Sequence, residues 1–506
     1  MRPLAGTSVI DAAQEAARQF PDRPAVVGAD ESLTYRELMR RTSAIAAILR
    51  GGGAGQHAPV AVIMARGAGQ LAAVWGVLRS GAPYLCLDAD QPQPRIEAIL
   101  RSSGAALLVT DQPAGGAARA FDGTVYPAAG LAAAAAPGAH VPPEPGDLAY
   151  ILYTSGSSGP PKGVAVTSAG IANYTAHMIG LLCRDAPVTS FASVTSLSTD
   201  LGNSAIFPAL ASGGCVHLVP ADIARDAVDF ACYMRAHEIG VLKITPSHMA
   251  ALLDDPDPAV LPARALILGG EILPWDLADT VSKLSACRVF NHYGPTEATV
   301  GSLIFEVGRD AGRYRDLPSV PIGRPISNTV ATVVSDTLEP VPDGAPGELL
   351  LGGQGLAREY WRDPDQTSER FISGYPGGRM FRTGDRVRRH GGGVYEFIDR
   401  LDRQVKVRGH RVELGEVEFA LRQFPRIKSA VVVPEADRWG TVRLIAYVVM
   451  AGARDEIPAD TAVIRRWLAG QLPAHCCPAE IVVLDEIPYT ASGKLDRVAL
   501  TGLRST

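Results

Sequence analysis

Four short stretches of this sequence carry residue types at spacings suited to phosphate and nucleotide chemistry. "YTSGSSGPPKG" (Tyr153–Gly163) offers hydroxyls at Thr154, Ser155, Ser157 and Ser158 and a cation at Lys162. Its glycines, Gly156 and Gly159, let backbone amides close around an anion. It is not a Walker loop, because Pro161 stands where the second glycine belongs and Gly163 where the magnesium-holding Ser/Thr belongs. "NHYGPTEAT" (Asn291–Thr299) sets an aromatic ring beside a tight Gly-Pro turn and a carboxylate, Glu297. "RTGDR" (Arg382–Arg386) places Asp385 in a turn, where an acidic side chain can grip ribose hydroxyls, and "TASGKLDR" (Thr490–Arg497) presents Lys494 on a glycine-bearing loop. Taken singly, each has a bland reading: a Gly/Ser surface turn, or a solvated charge.

Two further residues look out of place. "IGVLKIT" (Ile239–Thr245) reads as a buried strand with Lys243 in its middle, and a buried lysine costs several kcal/mol unless paired. Asp200, in "SLSTDLGNSAIF", precedes an apolar run. On local sequence alone, a lysine reaching out from a strand end and an aspartate capping a helix account for both equally well.

The elements that must position these groups follow from apolar patterning. "PVAVIM", "AALLVT", "IGVLKIT" and "ALILGG" are short β-branched runs alternating with alanine-rich helical segments, the pattern of α/β units with buried, mostly parallel strands. The Gly/Ala/Pro tract from Gly115 to Pro145 reads as a surface connection. Near residue 400 the character changes to dense charge, "DRLDRQVKVRGHRVELGEVE", followed by strands ("AVVVPEA", "LIAYVVM", "EIVVLDEIP") alternating with helices. The expectation is a large N-terminal α/β domain over 1–401 and a small α+β domain over 402–506, joined at a charged hinge.

Composition narrows the function classes. At 506 residues the chain can build two or more domains, and 48 basic against 53 acidic residues argue against a nucleic-acid scaffold. No apolar run approaches the roughly 18 residues needed to span a bilayer. The opening "MRPLAGTSVIDAAQEAARQFPDRP" lacks a signal-peptide core and reads as a polar-capped amphipathic helix. Seven scattered cysteines show no metal spacing, so the thiols are expected to be reduced and the protein cytoplasmic.

In this order, the stretches resemble the adenylation domains of nonribosomal peptide synthetases, within the wider group of adenylate-forming enzymes. The likeness starts at "LTYREL" (Leu33–Leu38) and "LRSGAPYLCLD" (Leu78–Asp88) and runs through "LAYILYTSGSSGPPKG", "NHYGPTE", "GELLLGGQGLAREYW" and "RTGDR" to "DRLDRQVKVRGHRVELGEVE" and "SGKLDR". One departure is Asp399 before Arg400, where the family usually has glycine. The resemblance implies that the Tyr153–Gly163 loop cradles the β- and γ-phosphates of ATP. It further implies that Asn291 belongs to the nucleotide site, that Tyr293 stacks on adenine, that Asp385 accepts from the ribose and that Arg400 lies near the ribose-phosphate. Thr296 would donate to the α-phosphate, Glu297 would hold magnesium and Lys494 would bridge the substrate carboxylate and the α-phosphate. Asp402 matches the hinge about which the small, mobile domain turns to admit a carrier thiol, with "KVRGHR" (Lys406–Arg411) then facing the phosphopantetheine arm.

The resemblance also implies which acid is activated. Asp200 falls where amino-acid-activating members hold the α-ammonium. The other pocket positions are Leu201, Ser204, Lys243, Ile267, Gly269, His292, Val300 and Gly301, closed by Lys494, a set similar to that of aspartate-activating domains. Lys243, with His292, would pair with a side-chain carboxylate, and Gly269 and Gly301 would leave room for it. The segment around "TDLGNS" differs from the family's commoner phenylalanine-aspartate form and carries extra residues upstream. A 3-substituted aspartate, asparagine or a β-amino acid stays open, since one methyl changes pocket energetics by only ~1–3 kcal/mol. "LGGQGL" (Leu351–Leu356) has no serine to modify, and the sequence stops soon after "SGKLDR". The expected enzyme is therefore free-standing, or an excised domain, loading a separate carrier protein; the family also admits a small MbtH-like activator. Rival readings are an acyl- or aryl-coenzyme A ligase of the same fold and a regulatory nucleotide-binding protein without catalysis.

Overall fold

The apolar β-branched runs form strands buried on both faces: Val60–Ile63, Leu107–Thr110, Val241–Ile244 and Ala265–Gly269 are covered along their whole lengths. All four pair in parallel, the arrangement that hides both faces of a sheet under helices. The computed structural model describes residues 7–133, 142–155, 161–254, 257–436, 442–451, 461–488 and 500. The chain divides into two units, the first comprising Met1–Ala89, Ile99–Tyr153 and Gly163–Leu401, the second Asp90–Ala98, Thr154–Lys162 and Asp402–Thr506. The fold is α/β, with a large N-terminal domain and a small α+β C-terminal domain.

In the first unit, a nine-stranded sheet has the order Arg324–Pro325, Leu303–Val307, Arg288–Tyr293, Ala265–Gly269, Val241–Ile244, Ser190–Ser193, Cys215–Leu218, Pro24–Val27 and Ser32–Thr34. Its interior is parallel and both edges are antiparallel. A seven-stranded sheet runs from Glu359–Tyr360 through Lys162–Thr167 and Leu148–Thr154 to Tyr84–Leu87, Val60–Ile63, Leu107–Thr110 and Thr124–Pro127. One apolar core joins them, with Trp75 of helix Ala68–Ser80 meeting Phe207 of helix Asp200–Ser212 at 5.4 Å between ring centroids. A five-stranded antiparallel sheet contains Gly378–His390 and Val394–Arg400, which carry Asp385 and Arg400.

Local sequence accounts for several helix starts. Ser8 caps helix Val9–Gln19, its Oγ accepting from Asp11 N at 3.1 Å, as the polar-capped amphipathic pattern predicts. In "LTYREL", Thr34 and Glu37 form a capping box at the start of helix Tyr35–Gly51, while buried Tyr35 donates to the Gly214 carbonyl at 2.8 Å. The tract after Gly115 is more than a connection. Thr124–Pro127 adds a parallel edge strand to Leu107–Thr110, because "TVYP" suits a half-covered pleat, and Leu131 anchors the next helix in the core.

The second unit holds a hairpin, Gln404–Val407 with His410–Glu413, and a three-stranded sheet of Ile427–Ala436, Val442–Met450 and Glu480–Leu484. Helices Leu414–Gln423 and Thr461–Ala469 share its core. All seven cysteines are free thiols, and among the described residues no helix is long and apolar enough to cross a membrane.

Helices Tyr35–Gly51 and Ala68–Ser80 approach closely at Gly76, where a Cβ would stand 2.7 Å from Ile45 Cβ. Gly76→Ala is expected to overpack this contact at a cost of about 1–3 kcal/mol. An unchanged unfolding midpoint in chemical denaturation would mean the helices do not pack through this glycine.

Candidate active site

The carboxyl ends of the parallel strands Val241–Ile244, Ala265–Gly269 and Arg288–Tyr293 lie side by side, and three of the sequence's unusual residues meet there. Register pairs Lys243 with Ile267, and Gly269 with His292. Lys243 is only 1% exposed, and its Nζ stands 3.5 Å from His292 Nδ1. Burial, then the nearby Lys243, holds the His292 imidazole well below its ordinary value, so the ring is neutral. The lysine is therefore not reaching out to solvent; its ammonium is inside.

Gly269 and Gly301 are small for a different reason from the one the sequence suggested. A Cβ on Gly269 would stand 2.5 Å from Lys243 Nζ, and a Cβ on Gly301 would overlap the His292 ring. The space beside both glycines is filled by the lysine–histidine pair. Val300 and Thr299 precede Gly301 at φ of +62° and +58°, a left-handed conformation rare for β-branched residues. The Thr299 hydroxyl donates to the Gly355 carbonyl at 2.5 Å and holds this turn.

Asp200 is the first residue of helix Asp200–Ser212, and the preceding Thr199, not Asp200, is the cap residue. Its Oδ2 is covered and has no hydrogen-bond partner among the described residues. Burial pushes the carboxyl from an ordinary 3.8 up to about 6. The Thr296 hydroxyl and, more weakly, the helix backbone and Lys243 act against this, while the nearby Glu297 charge reinforces it. Ser204, one turn further along, is fully buried, Leu201 is partly buried and Ile267 is fully buried. A covered carboxylate oxygen without a donor is a ready partner for a cation.

A second group of predicted residues surrounds Asp385. Its Oδ2 accepts from the Tyr293 hydroxyl and its Oδ1 from Arg400 at 2.6 Å, across a pair of strands in which Asp385 and Arg400 are directly opposite. Burial and the Asp385 charge raise the Tyr293 phenol far above its usual value. A carboxylate offers about four lone-pair sites, so Asp385 retains acceptor capacity for a diol such as ribose. Asn291, by contrast, directs its amide group to the Val320 and Pro321 carbonyls at 3.0 and 2.9 Å, which fixes a neighbouring backbone segment. Arg386 pairs with Asp399, the residue that departs from the family pattern.

Glu297 is fully buried in the short turn Thr296–Ala298, with Oε1 accepting from Tyr360 at 2.7 Å. Among the described residues no group of three or more His, Cys, Asp or Glu could hold a metal on its own. Magnesium is commonly held by one or two carboxylates plus substrate phosphates, so a lone Glu297 fits an ion that arrives with a nucleotide. Thr154, Ser155 and Lys162 fall in the second unit; there Ser155 Oγ donates to the Arg411 carbonyl at 2.7 Å. Gly156, Ser157, Ser158, Gly159 and Lys494 lie outside the described residues. Sequence reasoning missed Tyr174 and Tyr360, which contact His292 and Glu297. Both sit among apolar residues, where a tyrosine reads as core.

Comparison with known proteins places this geometry in context. The model of the AMP-binding enzyme family matches residues 13–361 and that of the AMP-binding enzyme C-terminal domain matches residues 416–494. Tyrocidine synthase 3 of Brevibacillus parabrevis is 35% identical over 505 residues, covering 97% of this chain and 8% of that protein. The chain spans less than half the length of the curated relatives it matches. Among solved structures, holo-PA1221, a peptide-synthetase protein containing adenylation and carrier (PCP) domains, has a TM-score of 0.84 at 27% identity, covering 99% of this chain and 85% of that one. A four-domain nonribosomal peptide synthetase, holo-AB3403 bound to AMP and glycine, has a TM-score of 0.69 at 29% identity, covering 99% and 36%.

The raised Asp200 carboxyl generates a stability test. A folded-state value above the unfolded one contributes stability that is complete below about 4 and lost as pH rises through about 6. At pH 7.5 the buried charge is thus a liability, bounded at about 3 kcal/mol by the span from 3.8 to about 6. Asp200→Asn should raise the thermal midpoint at pH 7.5, and the gain should shrink at pH 4.5. An equal difference at both values would show that Asp200 does not titrate as a covered acid.

Proposed function

The chain belongs to the AMP-binding enzyme family, and on that footing we propose that it activates an amino acid, L-aspartate or a close analogue, as the aminoacyl adenylate. The observation that carries this reading is two buried groups that act on each other electrostatically: an Asp200 carboxyl whose Oδ2 has no hydrogen-bond partner among the described residues, and Lys243 beside neutral His292. An α-ammonium suits the first and a side-chain carboxylate the second. A neutral side chain would leave the Lys243 charge buried without a ligand counter-charge. Relatives named as a phosphinothricin tripeptide synthetase and a dimodular nonribosomal peptide synthase support amino-acid chemistry over a coenzyme A ligase.

In the proposed reaction an α-carboxylate oxygen attacks the α-phosphorus of ATP and pyrophosphate leaves. Two like unit charges at ~4 Å repel by about 4 kcal/mol at an effective dielectric of 20, so fixed positive charge has to meet the developing one. Lys494 is assigned that role by the family resemblance, with Thr154, Ser155, Gly156, Ser157, Ser158, Gly159 and Lys162 on the phosphates. Tyr293, Asp385 and Arg400 would hold the nucleoside, and Thr296 would serve the α-phosphate as well as Asp200. Magnesium carried by the phosphates and held at Glu297 would supply charge neutralisation. A thiol of a phosphopantetheinylated carrier protein would then attack the mixed anhydride and release AMP, the second unit turning about Asp402. A cytoplasmic location and an MbtH-like activator belong to the same reading.

The test is pyrophosphate release across the proteinogenic amino acids, with 3-methylaspartate, β-alanine, and fatty and aryl acids added. Aspartate should dominate, and the product should pass to a carrier thiol in preference to coenzyme A. Strong turnover of a neutral acid would discard the pocket reading while keeping the chemistry. Lys243→Ala should lower kcat/KM for aspartate by roughly two to three orders of magnitude, on the scale of breaking a buried pair, and spare neutral amino acids. Lys494→Ala should lower adenylation by orders of magnitude while nucleotide still binds, measurable by calorimetry; a variant that keeps its rate would remove Lys494 from the reaction.

A further inference from the structure

The Lys243–His292 contact does not end at the imidazole. Tyr174, on helix Ser168–Leu182, is 1% exposed and its hydroxyl stands 3.1 Å from His292 Nε2, with the two rings edge to face at 5.6 Å. We infer that the Tyr174 hydroxyl fixes the tautomer of His292 and so aims the Lys243 ammonium, making Tyr174 a positioning residue for the specificity pocket. The inference rests on the reading that an acidic side chain enters this pocket.

The reasoning is one of donor and acceptor inventory. An ammonium has three donors and no acceptor, and a neutral imidazole has one donor and one acceptor. Nδ1 faces Lys243 at 3.5 Å, so it must be the unprotonated nitrogen. A proton there would set two donors against each other in a site closed to water. The ring proton therefore sits on Nε2, where the Tyr174 oxygen accepts it. The phenol's own proton turns elsewhere. The order of donation runs from Lys243 to His292 to Tyr174.

Without the Tyr174 hydroxyl, the Nε2 proton loses its acceptor in a dry site, and the ring gains nothing by keeping it there. The competing Nδ1–H tautomer turns a donor on the lysine. Either way one Lys243 N–H loses its anchor at His292. Gly301 enforces the arrangement sterically, since a side chain there would displace the ring. The hydroxyl touches no reacting atom, so its effect falls on binding of one substrate class and not on the chemical step.

The experiment compares wild type with Tyr174→Phe, which keeps the ring. Nitrogen-15 NMR of histidine-labelled protein, with His292 assigned by its loss in His292→Gln, reads the tautomer directly. Wild type should show Nε2–H with Nδ1 unprotonated, and Tyr174→Phe a shift toward the other tautomer. In parallel, KM for aspartate should rise about tenfold, the scale of one hydrogen bond, with kcat and the neutral substrate asparagine within twofold. An Nδ1–H signal in wild type overturns the inference even if the variant fails to fold. An unchanged tautomer and KM in a folded variant overturn it as well. Should wild type ignore aspartate altogether, the substrate reading fails, while the NMR arm still decides the tautomer.

Discussion

A lysine side chain lies inside a parallel sheet, and the neighbouring elements are arranged around that fact. Desolvating such a group is tolerable only with close, well-directed acceptors. His292 comes near enough because its strand is separated from the Lys243 strand by one whose last residue is Gly269. The imidazole in turn needs the open side of Gly301, and Gly301 follows two residues held left-handed against the Gly355 carbonyl. Strand register, two glycines and a strained turn are therefore parts of one constraint. It lies at the carboxyl ends of parallel strands, where open α/β sheets generally bind ligands.

The cluster around Asp385 obeys a different logic. Asp385, Arg400 and Tyr293 form a neutralised, mutually bonded set, with Asp385 and Arg400 paired across adjacent strands and Tyr293 closing the other carboxylate oxygen. Such a set is rigid before any ligand arrives, so little side-chain entropy is left to lose on binding. The Asp200 carboxyl is the reverse, with a covered Oδ2 that has no hydrogen-bond partner among the described residues and a value raised to about 6.

Much of the framework was legible in the sequence because fully buried parallel strands read as unbroken apolar runs: the four quoted runs each became a strand. Lys243 announced itself for the same reason, as a charge where the pattern allows none. What the sequence could not convey was three-dimensional neighbourhood. Gly269 and Gly301 read as open space, and only the fold shows the lysine and histidine occupying it. Asn291 read as a ligand contact, yet its amide fastens the Val320–Pro321 backbone. Tyr174 lies on an apolar helix face, and its polar end matters only because His292 arrives from a strand more than a hundred residues later. The Gly115–Pro145 tract hid a strand because its composition masked four residues of ordinary β character.

The left-handed turn at Thr299 and Val300 bears on how a pocket of this kind diversifies. Backbone conformation there is imposed from outside, by the Thr299 hydroxyl on Gly355, and is not chosen by the residues themselves. Asparagine or glycine at position 300 would relieve local strain, whereas another bulky residue inherits it. Side-chain exchange at this wall is thus biased by torsional preference before any substrate is considered. Divergence toward larger ligands has a downhill first step at Val300 and an uphill one at Gly301, where the imidazole stands in the way.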